Sequence, residues 1–538
     1  MMRRSFGPAR RPALRPVPLA MLCVLGLLLS ACGGTQAPSR TPGTPRQGGE
    51  LTMSLPVDVI SFDPQNAGYD NVTDGSRLAA LYDVLLWTDP ATGSVQPQMA
   101  DEMSHDETGL NWTLRIHPGI RFSDGTLLDA AAVQFNWDRH RPRPGSAPSP
   151  AATAVAQIES TAVDPADPLA LTIKLIGPNA NFDRSVAKYL NYIASPAAIR
   201  AGGADGVRTK PVGAGPYVLE SYAKGQPLVL KRNENYWQAN KGLPHLDKLT
   251  FVPHTDVTQV IPLMKKGDID LTLTVYAGDP EPAQAAGLTV NRLHLNGGGT
   301  LQFNTKVAPF NNRDARLAVV YALSGAEINN QVYGGRGTQA RGIFNATSPL
   351  ANNQLSAPEN DKQKAAALFD KLTANGTRPF AFTYTTTESS LNQQIAQLMQ
   401  SRIAAYRGVT MNIRVLAIPD YVAQVRGGQT GWQSTVGQSW IDDPEPALFD
   451  MLYSQSARNV TGFSDPEVDN ALLTARRTSD PAGRRDAYTR VQTVLNREMP
   501  FWTYQESVAA ALSRPEVTGL QLFNDGLILW DRIGLRDG

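Results

Sequence analysis

An α/β fold is what the chain predicts, from three local patterns. Residues Thr250 to Tyr276 read as strand, helix and strand, with Lys266-Gly267-Asp268 closing the helix and Ile269-Asp270-Leu271 opening the second strand. From Leu391 to Tyr406, the residues Leu391, Ile395, Leu398, Met399 and Ile403 fall on one helical face, and Gly408 is placed as its C-cap. The alternation of Met411, Ile413 and Val415 then gives a strand, after which Asp420 is placed as the cap of another short helix.

The remaining elements follow in chain order. Leu51-Thr52-Met53-Ser54-Leu55 alternates as a strand, and Ser61 to Asp70 is a polar loop before a helix that runs through Tyr82. Asn111 to Ile116 is a strand, Ser123-Asp124-Gly125 a turn, and Asp129 the N-cap of a helix through Trp137. Four prolines between Arg141 and Pro150 require a surface loop. Asn296-Gly297-Gly298-Gly299-Thr300 lacks the lysine of a phosphate-binding loop and reads as a flexible link near a hinge. No internal repeat is evident, which removes solenoids and propellers.

Before these elements lies a different kind of segment. Arg3, Arg4, Arg10, Arg11 and Arg15 precede an apolar run of about 15 residues, Val17 to Ala31, too short for a bilayer span of roughly 20. Leu29-Ser30-Ala31-Cys32 followed by Gly33-Gly34 resembles a bacterial lipobox, in which the cysteine is lipidated and the preceding peptide removed. The resemblance implies an extracytoplasmic lipoprotein anchored to the cell membrane through Cys32, with residues 1–31 as signal peptide and 32–48 as a Gly, Pro, Ser and Thr tether. Arg3-Arg4-Ser5-Phe6 leaves general and twin-arginine export both open.

Removing residues 1–31 takes five of the 50 Lys and Arg and none of the 49 Asp and Glu, so the net charge passes from +1 to −4. That balance argues against a nucleic-acid partner. Cys23 lies in the signal and Cys32 at its end, which leaves no thiol for a disulfide, a nucleophile or a soft metal site. The six histidines, at 105, 117, 140, 245, 254 and 294, show no zinc-ligand spacing, and no Gly-x-Ser-x-Gly elbow occurs. We expect no catalytic residues, no metal and no cofactor.

Several segments together resemble the dipeptide- and oligopeptide-binding proteins of ABC importers, the bacterial solute-binding proteins of family 5. They begin with Leu81 to Leu86, Val95 to Ala100, Leu110 to Arg115 and Ile120 to Thr126. They continue with Pro211-Val212-Gly213-Ala214-Gly215-Pro216-Tyr217, Arg232 to Trp237, and Met264 to Asp270. Gln302-Phe303-Asn304-Thr305, Pro309-Phe310-Asn311 and Arg313 to Ala318 complete the series. Their order and spacing, rather than any one of them, carry the likeness.

The resemblance implies two α/β lobes of the type II periplasmic-binding-protein kind around a cleft. The first lobe would comprise 49–277, with an inserted subdomain at about 86–204, and a C-terminal return at 504–538; the second would comprise 278–503. Crossings are placed near Tyr276 and Thr503. It also implies a monomeric receptor that hands a small peptide to permease subunits served by cytoplasmic ATPase subunits. A non-peptide solute such as a metal complex or oligosaccharide is the alternative, and a lipid-anchored hydrolase the rival of another class.

A peptide ammonium taken into a cleft needs a carboxylate. Gly437 to Pro446 is similar to the family segment in which an Asp after a Trp grips the peptide amine, which makes Asp442 the best match and leaves Asp443 as the alternative. Both could instead initiate the helix that Pro444 opens. Trp440 is assigned to the cleft and Trp432 to the core. Ala67 to Asn71 matches the region that approaches the ligand backbone, with Tyr69 and Asp70 as its ligand-binding candidates; a plain polar turn is the competing reading.

Overall fold

The computed structural model describes residues 44–536 apart from 91, 145–148, 255–256 and 427–430. The lipobox, Cys32 and most of the tether lie outside the described residues. The described end of the tether is packed: the Arg46 backbone N–H donates to the Leu535 carbonyl at 2.8 Å, and that of Gly48 to the His245 carbonyl at 2.8 Å.

One ten-stranded mixed sheet organises the body. Its strands, in chain order, are β1 (Glu50–Leu55), β2 (Tyr217–Ser221), β3 (Leu228–Arg232), β4 (Lys248–Pro253) and β5 (Leu271–Thr274), then β6 (Thr289–Phe303), β7 (Phe380–Thr387), β8 (Val409–Leu416), β9 (Ser434–Ile441) and β10 (Phe501–Ser513). Across the sheet they run β8-β7-β9-β6-β10-β5-β1-β4-β3-β2. β4 and β5 both lie parallel to β1, one on each side, which is the geometry the strand-helix-strand pattern at 250–276 demands.

Two cores divide this sheet. The first gathers Leu51, Met53, Phe251, Leu271 and Leu273 with residues near the C-terminus such as Phe523, Ile528 and Trp530. The second gathers Leu301, Phe303, Phe382, Tyr384, Trp432 and Trp502. The chain is therefore a two-lobed α/β protein in which both ends of the described chain belong to the first lobe. A separate four-stranded antiparallel sheet, made from residues between Ala100 and Leu175, sits within that lobe.

The first crossing lies beyond the position expected near Tyr276, and the second stays beside Thr503. After Tyr276 the chain stays with the first lobe, because Ala283 and Leu288 pack against Val260, Met264 and Ala510. It changes lobe inside β6, whose first half pairs with 507–513 of β10 and whose second half pairs with β9. Thr503 stands opposite Thr300 within β10. The lobes are joined by two long strands paired with each other, not by loops.

The glycine run Gly297-Gly298-Gly299 accordingly lies in a strand, where a flexible link was expected. A register shift between Leu295 and Gly298 marks a bulge at this point. Gly298 has φ +135°, and a Cβ there would stand 1.9 Å from the Gln505 carbonyl oxygen, so only glycine fits.

Seven helices concern the site and its setting: α1 (Gly75–Tyr82), α2 (Ala130–Arg139), α3 (Phe182–Tyr189), α4 (Ser390–Ile403), α5 (Pro444–Leu452), α6 (Pro466–Arg476) and α7 (Pro481–Glu498). α2 begins as its sequence requires, with the Asp129 carboxylate accepting the Ala132 N–H at 2.8 Å. α4 ends with its apolar stripe at Ile403, before the expected cap. Ala404, not Gly408, is its C-cap, because the N–H groups of Ala405 and Tyr406 turn back to carbonyls three residues earlier and end the α-helix. Asp420 likewise lies inside the helix Ile418–Tyr421, which Ala417 caps.

Candidate functional site

Between the lobes lies a cavity of about 390 Å³. The first lobe supplies Thr88, Arg184 and Asn524 to its wall, and the second supplies Asn345, Asp442 and Asp443 among others. This volume falls in the usual range for small-molecule pockets.

Asp442 and Asp443 sit where β9 gives way to α5. Asp443 caps that helix, accepting the Glu445 N–H at 2.9 Å. It also faces two guanidinium groups: Arg484 of α7 at 2.5 Å, and Arg184 of α3, from the other lobe, at 2.9 Å. Burial pushes the Asp443 carboxyl up, yet Arg484 and Arg184 outweigh it and hold the group below the ordinary carboxylate value.

Asp442 receives the Lys188 ammonium of α3 at 2.7 Å. The expected partner was a ligand ammonium; here the protein's own lysine meets the charge. Burial would pull Lys188 down, but Asp442 and then Asp525 raise it above the ordinary lysine value. Asp525 shares the same field. Burial pushes its carboxyl up to about 7, with Lys188 opposing the shift and Asp442 and Asp70 adding to it.

Asp70 and Asp442, distant in sequence, thus act on one buried carboxyl, although Asp70 does not line the cavity. Its own carboxylate accepts the Val72 N–H at 3.1 Å and shapes the turn into α1. Tyr69 is buried in the first core, its hydroxyl donating to the Pro64 carbonyl at 2.5 Å and its ring edge-on to Tyr192. Trp440 is half-buried on β9 opposite Gly297, outside the cavity wall, and its indole N–H is buried without a hydrogen-bond partner. Trp432 lies in the second core.

Sequence reasoning missed the cations. Arg184 and Lys188 stand four residues apart on α3 and so share a face, a spacing that could have drawn notice. Around them further polar contacts cross between the lobes. Arg458 donates to the Tyr189 hydroxyl at 3.2 Å and the Pro150 carbonyl at 2.7 Å, and Thr153 donates to Asp450 at 2.9 Å. The Asn181 amide reaches the Thr478 carbonyl at 2.9 Å. The arrangement can hold the two lobes together around the cavity. Among the described residues, no His, Cys, Asp and Glu cluster is suited to a metal ion, and no helix is long and apolar enough to cross a membrane.

Comparison with known proteins agrees with this architecture. The family described as bacterial extracellular solute-binding proteins, family 5, middle region, matches residues 94–459. The glutathione-binding protein GsiB of Salmonella paratyphi A is 25% identical over 515 residues, covering 90% of this chain and 94% of that protein. Among solved structures, the dipeptide-binding protein from Pseudoalteromonas sp. SM9913 in complex with Met-Leu superposes with a TM-score of 0.77 at 23% identity, covering 91% of this chain and all of that one. The periplasmic binding protein DppA from Helicobacter pylori, in complex with the peptide STSA, gives 0.77 at 20% identity, covering 91% and 99%.

Proposed function

Because the chain belongs to family 5 of the bacterial extracellular solute-binding proteins, we propose that it is the receptor of an ABC importer, capturing a peptide or related small solute between its lobes for delivery to a permease. The observation that carries this is the cavity walled by both lobes and bracketed by ion pairs that cross between them. A ligand touching both walls favours the closed state by its differential contacts, and the continuous β6 and β10 strands are where closure bends the molecule. ATP hydrolysis belongs to partner subunits. The peptide and glutathione ligands named for similar proteins support the solute class.

Small-angle scattering tests the capture. Separating the lobes breaks the Arg184–Asp443 and Lys188–Asp442 contacts, so protein stripped of ligand by unfolding and refolding should be more extended than protein saturated with a calorimetrically verified solute. An unchanged radius of gyration would count against closure.

We further propose that Cys32 carries the lipid that holds the receptor at the outer face of the membrane. Cys32→Ala should release the exported protein from the membrane fraction or leave an unprocessed precursor. Normal processing with full membrane retention would remove the anchor from this reading.

A further inference from the structure

Three asparagines line the cavity, and their amides are not equally occupied. The Asn524 amide is engaged at both ends, accepting the Thr88 N–H at 3.1 Å and donating to the Ala187 carbonyl at 2.8 Å. So is that of Asn345: its oxygen accepts the Thr347 N–H at 2.9 Å and the Thr347 hydroxyl at 2.7 Å, and its nitrogen donates to the Asn296 oxygen at 3.2 Å. Asn296 differs. Its Oδ1 also accepts the Asn345 backbone N–H at 3.2 Å, and because a backbone N–H can only donate, the atom facing it must be the oxygen. Nδ2 is thereby turned away from Asn345, and among the described residues it meets no acceptor. On a residue only 5% exposed, two unused N–H bonds call for a partner in the cavity.

The backbone explains how this side chain reaches the wall. Asn296 and Gly297 fall in the bulge of β6, between the pairing of Leu295 with Ser507 and that of Gly298 with Glu506, so neither is paired with β10. A bulge re-aims the side chains within it. On its other side Asn296 stands opposite Ile441, the residue before Asp442. The Gly297 N–H donates to the Ile343 carbonyl at 2.7 Å, which holds the segment bearing Asn345 against the bulge. The amide is thus oriented before any solute arrives.

Building on the receptor reading above, we infer that Asn296 is a specificity residue whose Nδ2 donates to a carbonyl oxygen of the captured solute, either a peptide carbonyl or a terminal carboxylate. Asn345 is the positioning residue that holds it. A solute presenting only donor groups at this point leaves the two N–H bonds unpaired and is disfavoured.

The test is isothermal calorimetry of the mature, ligand-stripped protein with three probes. They are Ala-Leu, its (E)-alkene isostere, which lacks the peptide carbonyl, and Ala-leucinol, which lacks the carboxylate. The parent should bind Ala-Leu about tenfold more tightly than at least one of the other two. Asn296→Asp keeps an oxygen for Asn345 and replaces the N–H donors by a second acceptor; it should abolish that preference, and the preference it abolishes identifies the oxygen. Poor folding lowers all three affinities together, so the lost preference, not the lost affinity, is the readout. Asn296→Ala gives the same comparison where the aspartate variant does not fold. A preference that survives in a folded variant overturns the inference, as does a parent that binds the three probes equally or binds none of them. Native mass spectrometry of the parent soaked in a tryptic digest of casein then separates the two readings. A captured peptide leaves the receptor reading standing and sinks only this one; an empty protein sinks both.

Discussion

Asp443→Ala should cost about 3–5 kcal/mol of stability, the penalty typical of removing one member of a buried ion pair. The substitution strips the partner from Arg484 and Arg184, both largely buried, and removes the cap of α5. Urea denaturation of the mature protein measures it, and a loss below about 1 kcal/mol would refute the assignment. Lys174→Met, which breaks the exposed pair with Glu159, should change stability by less than about 1 kcal/mol. The pH dependence has a definite sign. The folded-state carboxyl is held below the unfolded value of 3.8, so its contribution is complete above that value and is lost as the pH falls through the depressed folded one. The gap between parent and variant should narrow only in that acid range.

Gly298→Ala should be comparably damaging, for a steric reason. The side chain would meet the Gln505 carbonyl oxygen at 1.9 Å and its carbon at 3.0 Å, both backbone atoms of a paired strand, at a φ of +135° that L residues rarely adopt. Strain and clash together amount to about 3 kcal/mol or more. Gly342→Ala, with nothing within 4 Å of its Cβ, should lie within about 0.5 kcal/mol of the parent. If the two variants unfold at the same denaturant concentration, the bulge is not the constraint described.

What could be read from the residues was local. The apolar alternation of β1 and the strand-helix-strand pattern at 250–276 were legible because burial period and capping chemistry are written within a few residues. The Asp129 cap was legible for the same reason. Gly297-Gly298-Gly299 was misplaced because a glycine run signals freedom in an isolated chain, whereas here the need is close approach to Gln505, more than 200 residues away. The end of α4 was misjudged because Gly408 offered a glycine cap, whereas the backbone already tightens at Ala405 and Tyr406. At the site, Asp443 as a helix cap was readable from Asp-Pro, and the two-lobed plan came from a family resemblance. The cations were not readable: Lys188 meets Asp442 across 254 residues, and nothing beside either residue announces the other. Tyr69 shows the converse, since a tyrosine in a polar loop satisfied its hydroxyl on the Pro64 carbonyl.

The pairing of Arg46 with Leu535 has a mechanical consequence. The segment that leads back toward the tether is stitched to the first lobe next to the described C-terminal end, so a pull from that side loads the first lobe alone. The second lobe is reached only through the two paired strands and the polar contacts that cross between the lobes. In the anchored molecule proposed above, the first lobe would be the fixed part and the second the part free to move.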